Sequence, residues 1–195
     1  MNLNIMTEKE LLIKLKQYGE NQSNLTCVIL DIDNSHKNFG KEIKSNIIDY
    51  LLVEICQSFN NAYTCRFGRD AFLVLIPDNK ISLFEIPIIK ENLQKKLQQN
   101  MKSEITFCIG IANYPENVKN ISELTAIASE ALFDAKQKGI NKIEIPSGEP
   151  MKLKSLYFRK GQLKKLSYLS ETIKESESYI IRKALDEYFD KHFND

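Results

Sequence analysis

The order of apolar and polar positions along the chain predicts a sheet covered by helices. Residues 7–18 place apolar side chains at helical spacing behind Thr7, with Glu10 three residues later, which is the pattern of a capped amphipathic helix. Residues 24–33, NLTCVILDID, form an apolar run that ends in carboxylates, as expected for a buried strand. The remaining predicted elements are a helix over 41–59, a hairpin over 62–76, a helix over 80–101, a strand over 104–115, a helix capped by Ser122 and ended by Gly139, and a strand over 141–145. This order predicts a mixed α/β (α+β) domain whose sheet buries one face under helices.

A linker separates this domain from a C-terminal unit. The segment PSGEP at 146–150 concentrates proline and glycine, which favour turns and flexible connections. The predicted divisions are a first domain at 1–145, a linker at 146–151 and a second domain at 152–195. The second domain has one short strand, 152–158, and two helices joined by a turn at about 174–177. A unit so small with a single strand needs a partner, most economically its own copy in a second chain.

Composition indicates a globular protein, since 43% of residues are hydrophobic and 27% are charged. No apolar stretch approaches the roughly 18 to 20 residues of a membrane span, and the N-terminus carries no basic-then-apolar export signal. We therefore expect a cytoplasmic location and no membrane association. The four cysteines lie in apolar segments without metal-ligand spacing, and only two histidines are present. Core thiols are favoured, and no metal site or cofactor is expected.

Charge is distributed unevenly between the two domains. Residues 151–195 carry ten Lys or Arg against seven Asp or Glu, a net of +3, which leaves 17 against 19 in the other 150 residues. Such an asymmetry is typical of a basic segment that meets a polyanion. Helices also commonly carry lysine-rich faces that only meet solvent, so the charge alone does not decide between these interpretations.

Three stretches of the first domain resemble the GGDEF family of diguanylate cyclases. They are VILDID at 28–33, the hairpin RFGRDAF at 66–72, and FCIGIANYP at 107–115 followed by ASEALFDAKQKGINKI at 128–143. The resemblance covers roughly residues 7–145 and implies the nucleotidyl-cyclase-like mixed sheet of that family. It also implies an ancestral chemistry in which a metal ion helps to condense two GTP molecules into cyclic di-GMP.

The positions that carry this chemistry in the family are changed here. By resemblance the metal ligands would be Asp31 and the fourth residue of the hairpin motif, where Ala71 replaces the usual Glu and cannot hold a cation. Arg69 replaces the motif's second glycine, beside which the family's nucleotide approaches the backbone. Other nucleotide-contacting positions also depart from the family, namely the shortened loop after Asp33, Ser45 in place of Asp and Ile140 in place of Arg. We therefore expect a degenerate active site and no catalysis.

Four residues remain candidates for a vestigial nucleotide site, namely Asp31, Arg69, Asp70 and Lys136, the last at the family's phosphate-facing lysine. Each has a simpler interpretation. Carboxylates at a strand end or a turn often cap local backbone amides, which would account for Asp31 and Asp70. Arg69 at an exposed tip is most simply a solvated charge, and contact with a phosphate or a protein partner is the alternative. A guanine nucleotide or cyclic di-GMP stays open as an effector.

Residues 152–190 resemble the ribbon-helix-helix family of DNA-binding proteins. The segment LKSLYFRKGQLKKLSYLSETIKESESYIIRKALDEYFDK fits that family's strand, leucine-spaced helix, short turn, Ser-x-Ser start and second helix. The resemblance implies a homodimer whose two strands pair into a ribbon that enters the major groove of double-stranded DNA. The shared core of the dimer would be formed by Leu163, Leu166, Leu169, Ile173, Ile180, Ile181, Ala184, Leu185 and Tyr188.

The strand's alternation separates two faces, with Leu156 and Phe158 on one and the expected DNA-facing residues on the other. Base edges would be contacted by Leu153, Ser155 and Tyr157, and phosphates by Lys152, Lys154, Arg159 and the helix start at Ser176 or Ser178. The negative charge of Glu177, at the middle of Ser-x-Ser, would repel a phosphate at this helix start. An exposed strand face without DNA is the simpler alternative.

The sequence as a whole predicts a dimeric, sequence-specific DNA-binding protein, a transcriptional regulator or mobile-element control protein, with a non-catalytic GGDEF-like sensor or assembly domain. Two alternatives stay open. One is a diguanylate cyclase with a DNA-binding tail. The other is an antitoxin-like adaptor whose first domain grips a protein partner.

Overall fold

A computed structural model describes residues 3–21, 23–59, 62–78, 84–147 and 154–193. The chain divides into two compact units, Met1–Gly148 and Glu149–Asp195, so the division falls within the predicted linker. Lys152 and Leu153, both expected to contact DNA, lie outside the described residues.

The first unit is built on a five-stranded mixed sheet of order β2-β3-β1-β4-β5. The strands are β1 (Leu25–Ile32), β2 (Tyr63–Phe67), β3 (Ala71–Pro77), β4 (Phe107–Tyr114) and β5 (Ile143–Glu144). All neighbouring pairs are antiparallel except β4 with β5. The predicted mixed sheet and its hairpin are confirmed.

Five helices and a single 3₁₀ turn, at Ile121–Glu123, accompany this sheet in the described part of the first unit. The helices are α1 (Glu8–Glu20), α2 (Ser35–Phe39), α3 (Ser45–Ser58), α4 (Glu85–Met101) and α5 (Leu124–Gln137). The capping box of α1 is confirmed, because the Glu10 amide donates to Thr7 Oγ1 at 3.3 Å and the Thr7 amide donates to Glu10 Oε2 at 2.8 Å.

Helices cover both faces of the sheet, so the expectation of one covered face was wrong. On β1, Val28 and Leu30 point to one core with residues of α3 and α4, whereas Cys27 and Ile29 point to a second core with α1 and α5. All eight residues of β1 are buried. A strand enclosed on both sides has no polar face, which explains its continuous apolar run.

Gly110 lets α5 pack directly on the centre of the sheet. The residue pairs with Ile29 of β1, and a Cβ added to it would overlap the backbone of Ala128 and Leu132 in α5. Only a residue without a side chain permits this close approach. The position of α5, and therefore of Lys136 near its C-terminal end, depends on Gly110.

Two predicted helix starts were misplaced. The helix predicted over 41–59 begins at Ser45, because the backbone of Lys44 is not helical, with a φ of −59° and a ψ of 139°. Near α5, Asn120 rather than Ser122 is the capping residue. Its Oδ1 accepts from the Ser122 amide at 3.1 Å and from the Ser122 hydroxyl at 2.7 Å.

The second unit contains α6 (Lys160–Ile173) and α7 (Glu177–Phe193), close to the two predicted helices. Residues 154–158 form no strand in this single chain, and the paired ribbon stays a prediction. Many large apolar side chains in the described part of this unit are exposed to solvent. They are Leu156, Tyr157, Phe158, Leu163, Tyr168, Leu169, Ile173, Leu185, Tyr188 and Phe189.

All four cysteines are buried free thiols, which confirms their assignment to the core. Burial raises the pKa of Cys65 to about 12 and that of Cys108 to about 11, so neither is a reactive thiolate at neutral pH. None of the described helices is long and apolar enough to cross a membrane.

Candidate functional site at the hairpin edge

Asp31 is held in the centre of the site by its place near the end of β1. It lies opposite Ala71 of β3 and Cys108 of β4, and it is only 6% exposed. Its Oδ2 atom lies 2.9 Å from Nζ of Lys136, which reaches it from α5. Burial raises the pKa of Asp31 to about 6, and the charge of Lys136 offsets part of that rise.

Asp33 fixes the turn that follows β1. Its Oδ2 atom accepts a hydrogen bond from the Thr106 hydroxyl at 2.7 Å and one from the Asn141 amide at 2.8 Å. Lys90, buried on α4, donates to the Asn141 carbonyl at 2.8 Å, and burial lowers the pKa of this lysine. The second carboxylate of DID therefore ties β1 to the segments that flank β4, a role the sequence reasoning did not assign.

Arg69 is not a solvated charge, contrary to the simplest sequence interpretation. Its guanidinium donates from Nε to the Lys41 carbonyl at 3.0 Å and from Nη2 to the Gly40 carbonyl at 2.6 Å. From Nη1 it donates to Ser35 Oγ at 2.7 Å and to Asp70 Oδ2 at 3.0 Å. The arginine that replaces the family's glycine thus turns inward and joins the hairpin tip to the loop after β1.

Asp70 completes a closed set of polar contacts with Ser35 and Arg69. The Ser35 hydroxyl donates to Asp70 Oδ2 and accepts from Arg69, and Ser35 itself is buried. The described partners of the Asp31 and Asp70 carboxylates are side chains, so the interpretation of these residues as caps of backbone amides was wrong. The partners of Arg69 and Asp70, namely Ser35, Gly40 and Lys41, carried no sequence signal except their position in the shortened loop.

Ala71 leaves the hairpin without a metal ligand at the expected place. Its side chain is 8% exposed and belongs to the apolar core on the α1 and α5 side of the sheet. Within the described ranges, no group of three His, Cys, Asp or Glu residues is placed to hold a metal ion. The structure does bring together the four predicted residues as two pairs, Asp31 with Lys136 and Arg69 with Asp70, and the charge of Asp70 also raises the pKa of Asp31.

In the second unit the predicted DNA-facing residues that are described lie at the surface. Ser155 and Lys154 are exposed, and Tyr157 is fully exposed. Arg159 immediately precedes α6 as its N-cap, and its amide donates to Gln162 Oε1 at 3.0 Å. These positions leave the side chains accessible to a partner.

The start of α7 is capped by Ser176, whose hydroxyl accepts from the Tyr179 amide at 3.2 Å, and both Ser176 and Ser178 are exposed. Glu177 between them is held by α6, since the Ser167 hydroxyl donates to its Oε1 atom at 2.6 Å. The helix start therefore presents a carboxylate as well as free amides.

A family model described as the diguanylate cyclase GGDEF domain matches residues 4–142. The chain belongs to the GGDEF family. Among curated relatives, diguanylate cyclase A of Treponema denticola is 23% identical in an alignment of 146 residues that covers 70% of this chain and 39% of the relative. The uncharacterized protein YtrP of Bacillus subtilis is 27% identical in an alignment of 124 residues that covers 60% of this chain and 21% of the relative. The chain thus spans well under half the length of these two relatives.

Solved GGDEF structures share the fold of the first unit. The GGDEF domain of DgcB from Caulobacter crescentus in complex with c-di-GMP has a TM-score of 0.58 at 17% identity and covers 75% of this chain and 94% of its own. The active GGEEF domain of a diguanylate cyclase from Vibrio cholerae has a TM-score of 0.58 at 16% identity, with coverage of 74% and 98%. The resemblance found in the sequence is confirmed for the fold.

Proposed function

We propose that this GGDEF-family protein is a non-catalytic, dimeric, sequence-specific DNA-binding protein. Its GGDEF domain serves as a sensor or assembly module, and its second unit dimerises and contacts double-stranded DNA. The observation that carries the proposal is the second unit's exposed apolar surface, because a soluble unit that cannot bury its own leucines favours a partner that does.

The nine side chains expected in the dimer core support this assignment. None of them is buried in the single chain, and Leu163, Leu169 and Leu185 are each more than 40% exposed. Pairing of residues 152–190 with a second copy would remove this apolar surface from water. The two copies would then present Ser155 and Tyr157 together with the flanking basic residues, a combination that suits base edges and phosphates.

Loss of catalysis is supported by the contacts at the hairpin edge. Ala71 stands opposite Asp31 where a second carboxylate is expected, and Lys136 already compensates the charge of Asp31. Arg69 is engaged by its own chain, so it offers little to an incoming phosphate. These features favour a domain that keeps the framework without the chemistry.

Selection from a random duplex library followed by electrophoretic shift tests DNA binding. We expect a preferred repeat sequence and a marked loss of affinity for it in the double variant Ser155→Ala/Tyr157→Ala. A variant that keeps wild-type affinity for every duplex would contradict the assigned face. Stoichiometric co-purification of another protein, without a preferred duplex, would favour the adaptor function instead.

A diguanylate cyclase with a DNA-binding tail is the second candidate, favoured by the family match and by the retained pair of Asp31 and Lys136. Incubation of the full chain with GTP and Mg²⁺ or Mn²⁺, followed by chromatography, decides between them. We expect no dinucleotide product, and measurable cyclic di-GMP would overturn the non-catalytic assignment.

Cyclic di-GMP is a reasonable effector to test, since one solved relative of the same fold is in complex with it. Calorimetry against GTP, GDP and cyclic di-GMP, with and without the selected duplex, measures both binding and coupling. A nucleotide that acts as an effector must change DNA affinity by the same factor by which DNA changes nucleotide affinity.

A further inference from the structure

We propose that Arg69 is an intramolecular latch that holds the β1–α3 loop, residues 33–44, closed against the hairpin tip at residues 68–70. The latch would regulate access between these two segments, because any ligand that enters there must first release the guanidinium. This inference does not depend on DNA binding by the second unit.

One guanidinium reaches both ends of α2. Ser35 is the first residue of α2, and its hydroxyl accepts from Arg69 Nη1 at 2.7 Å. Beyond the other end of the helix, the carbonyls of Gly40 and Lys41 accept from Nη2 and Nε at 2.6 and 3.0 Å. With the contact to Asp70, all three nitrogens of the guanidinium donate, in four hydrogen bonds.

The loop has little local structure of its own to hold this conformation. Helix α2 has only 5 residues, and a helix that short is unstable without tertiary contacts. Asn34, just before the helix, is left-handed and makes no side-chain capping bond, and Gly40, just after it, has a φ of +76°. Phe39 and Ile43 also anchor the loop to the apolar core, and the contacts with Arg69 add the polar restraint at Ser35, Gly40 and Lys41.

The hairpin side of the latch is held by a contact within the hairpin itself. Gly68 takes a φ of +82° in the turn between two strands, and the Arg66 guanidinium donates to the Arg69 carbonyl at 2.7 Å. The Arg69 side chain is 22% exposed and that of Asp70 13%, so their ion pair is partly shielded from water. A partly shielded, multiply bonded arginine is a much stronger tie than a surface ion pair.

Hydrogen exchange followed by mass spectrometry on the full chain tests the latch. In Arg69→Ala we expect exchange of the hydrogen-bonded loop amides of Lys37, Asn38 and Gly40 to rise at least about 10-fold, because local opening controls their exchange. Exchange of β1 should stay unchanged. The matched control is Lys41→Ala, which removes an exposed side chain from the same loop but keeps the carbonyl that Arg69 binds, and its loop exchange should stay within about twofold of wild type.

The conservative variant Arg69→Lys separates a latch from a general loss of stability. Lysine keeps the charge but lacks the planar fork, so it should open the loop to an intermediate extent. Unchanged loop exchange in Arg69→Ala would overturn the proposal. So would β1 exchange that rises as much as loop exchange in both variants, because Arg69 would then stabilise the whole unit. Cyclic di-GMP made by the wild-type protein would contradict the non-catalytic function and leave the latch unaffected.

Discussion

Lys136 Nζ lies 2.9 Å from Asp31 Oδ2, so the carboxylate near the end of the central strand is paired with a cation from α5. Burial nevertheless outweighs this pairing and raises the pKa of Asp31 from 3.8 to about 6. The folded state therefore binds this proton more tightly than the unfolded state. The resulting stabilisation is fully present below about pH 4 and is lost as the pH rises through about 6.

Asp31→Asn, which keeps the side chain neutral at every pH, should show this loss directly. Relative to wild type, its free energy of unfolding should increase by up to about 3 kcal/mol between pH 4 and pH 7 and then level off. Urea denaturation at a series of pH values measures the difference. A difference that does not vary with pH would contradict a raised pKa at Asp31.

Lys136→Met should move this transition above pH 6, since the lysine's charge is the main influence that lowers the pKa of Asp31. Lys138→Met is the matched control on the same segment. Lys138 pairs with Glu144 at 2.8 Å, and its side chain is 59% exposed. In the same denaturation series, the Lys138→Met protein should lose the stabilisation from Asp31 at the same pH as the wild type.

Gly110→Ala should destabilise the first unit by about 3 kcal/mol, because the new Cβ overlaps the backbone of α5 and cannot be relieved by a rotamer change. Thermal and urea unfolding measure the loss. Gly161→Ala on α6 is the control, since a Cβ there meets nothing within 4 Å and should stabilise the helix by up to about 0.5 kcal/mol. Equal effects of the two changes would contradict the assigned close approach.

The contact between Glu54 and Lys96 allows the stabilisation of a buried carboxylate by an ion pair to be measured. Glu54 is 7% exposed, and its Oε2 atom has no described hydrogen bond of good geometry, so the 2.5 Å contact with Lys96 is its compensation. Lys96→Met should therefore cost about 2 kcal/mol. Lys95→Met breaks an exposed pair with Glu91 and should cost at most about 0.5 kcal/mol. Double-mutant cycles with Glu54→Gln and Glu91→Gln separate the two couplings.

Much of the sheet could be predicted because its strands carry local signals. The run before Asp31 and the turn around Gly68 mark strand and hairpin without reference to the rest of the chain. The same run already contained the evidence for two covered faces, since LTCVILDI does not alternate. The later start of α3, at Ser45, was missed because the apolar spacing of the helix continues upstream through Ile43, which is buried outside it.

The candidate site was predictable only where the family resemblance placed residues, as with Asp31 and Lys136. The environment of Arg69 was not predictable, because two of its acceptors are backbone carbonyls and every residue type offers one. The role of Asp33 was missed for a similar reason, since one of its donors is the Asn141 amide. Side-chain identity does not encode such contacts, which depend on how distant segments meet.

Leu169 and Tyr168 allow the proposed dimer to be tested within one helix. The resemblance places Leu169 in the dimer core, and its neighbour Tyr168 is 72% exposed and outside the predicted core. Leu169→Glu should convert the dimer to a monomer and abolish DNA binding at concentrations where wild type binds, because an unpaired carboxylate in an apolar interface is costly. Tyr168→Ser should leave both properties intact. Sedimentation equilibrium measures the dimer and electrophoretic shift measures DNA binding. A Leu169→Glu protein that remains dimeric would contradict a dimer interface within residues 152–190.

The affinity of the wild-type protein for DNA should fall steeply between 50 and 200 mM salt if phosphates are contacted. DNA binding that does not depend on salt would contradict the phosphate contacts assigned to the basic residues.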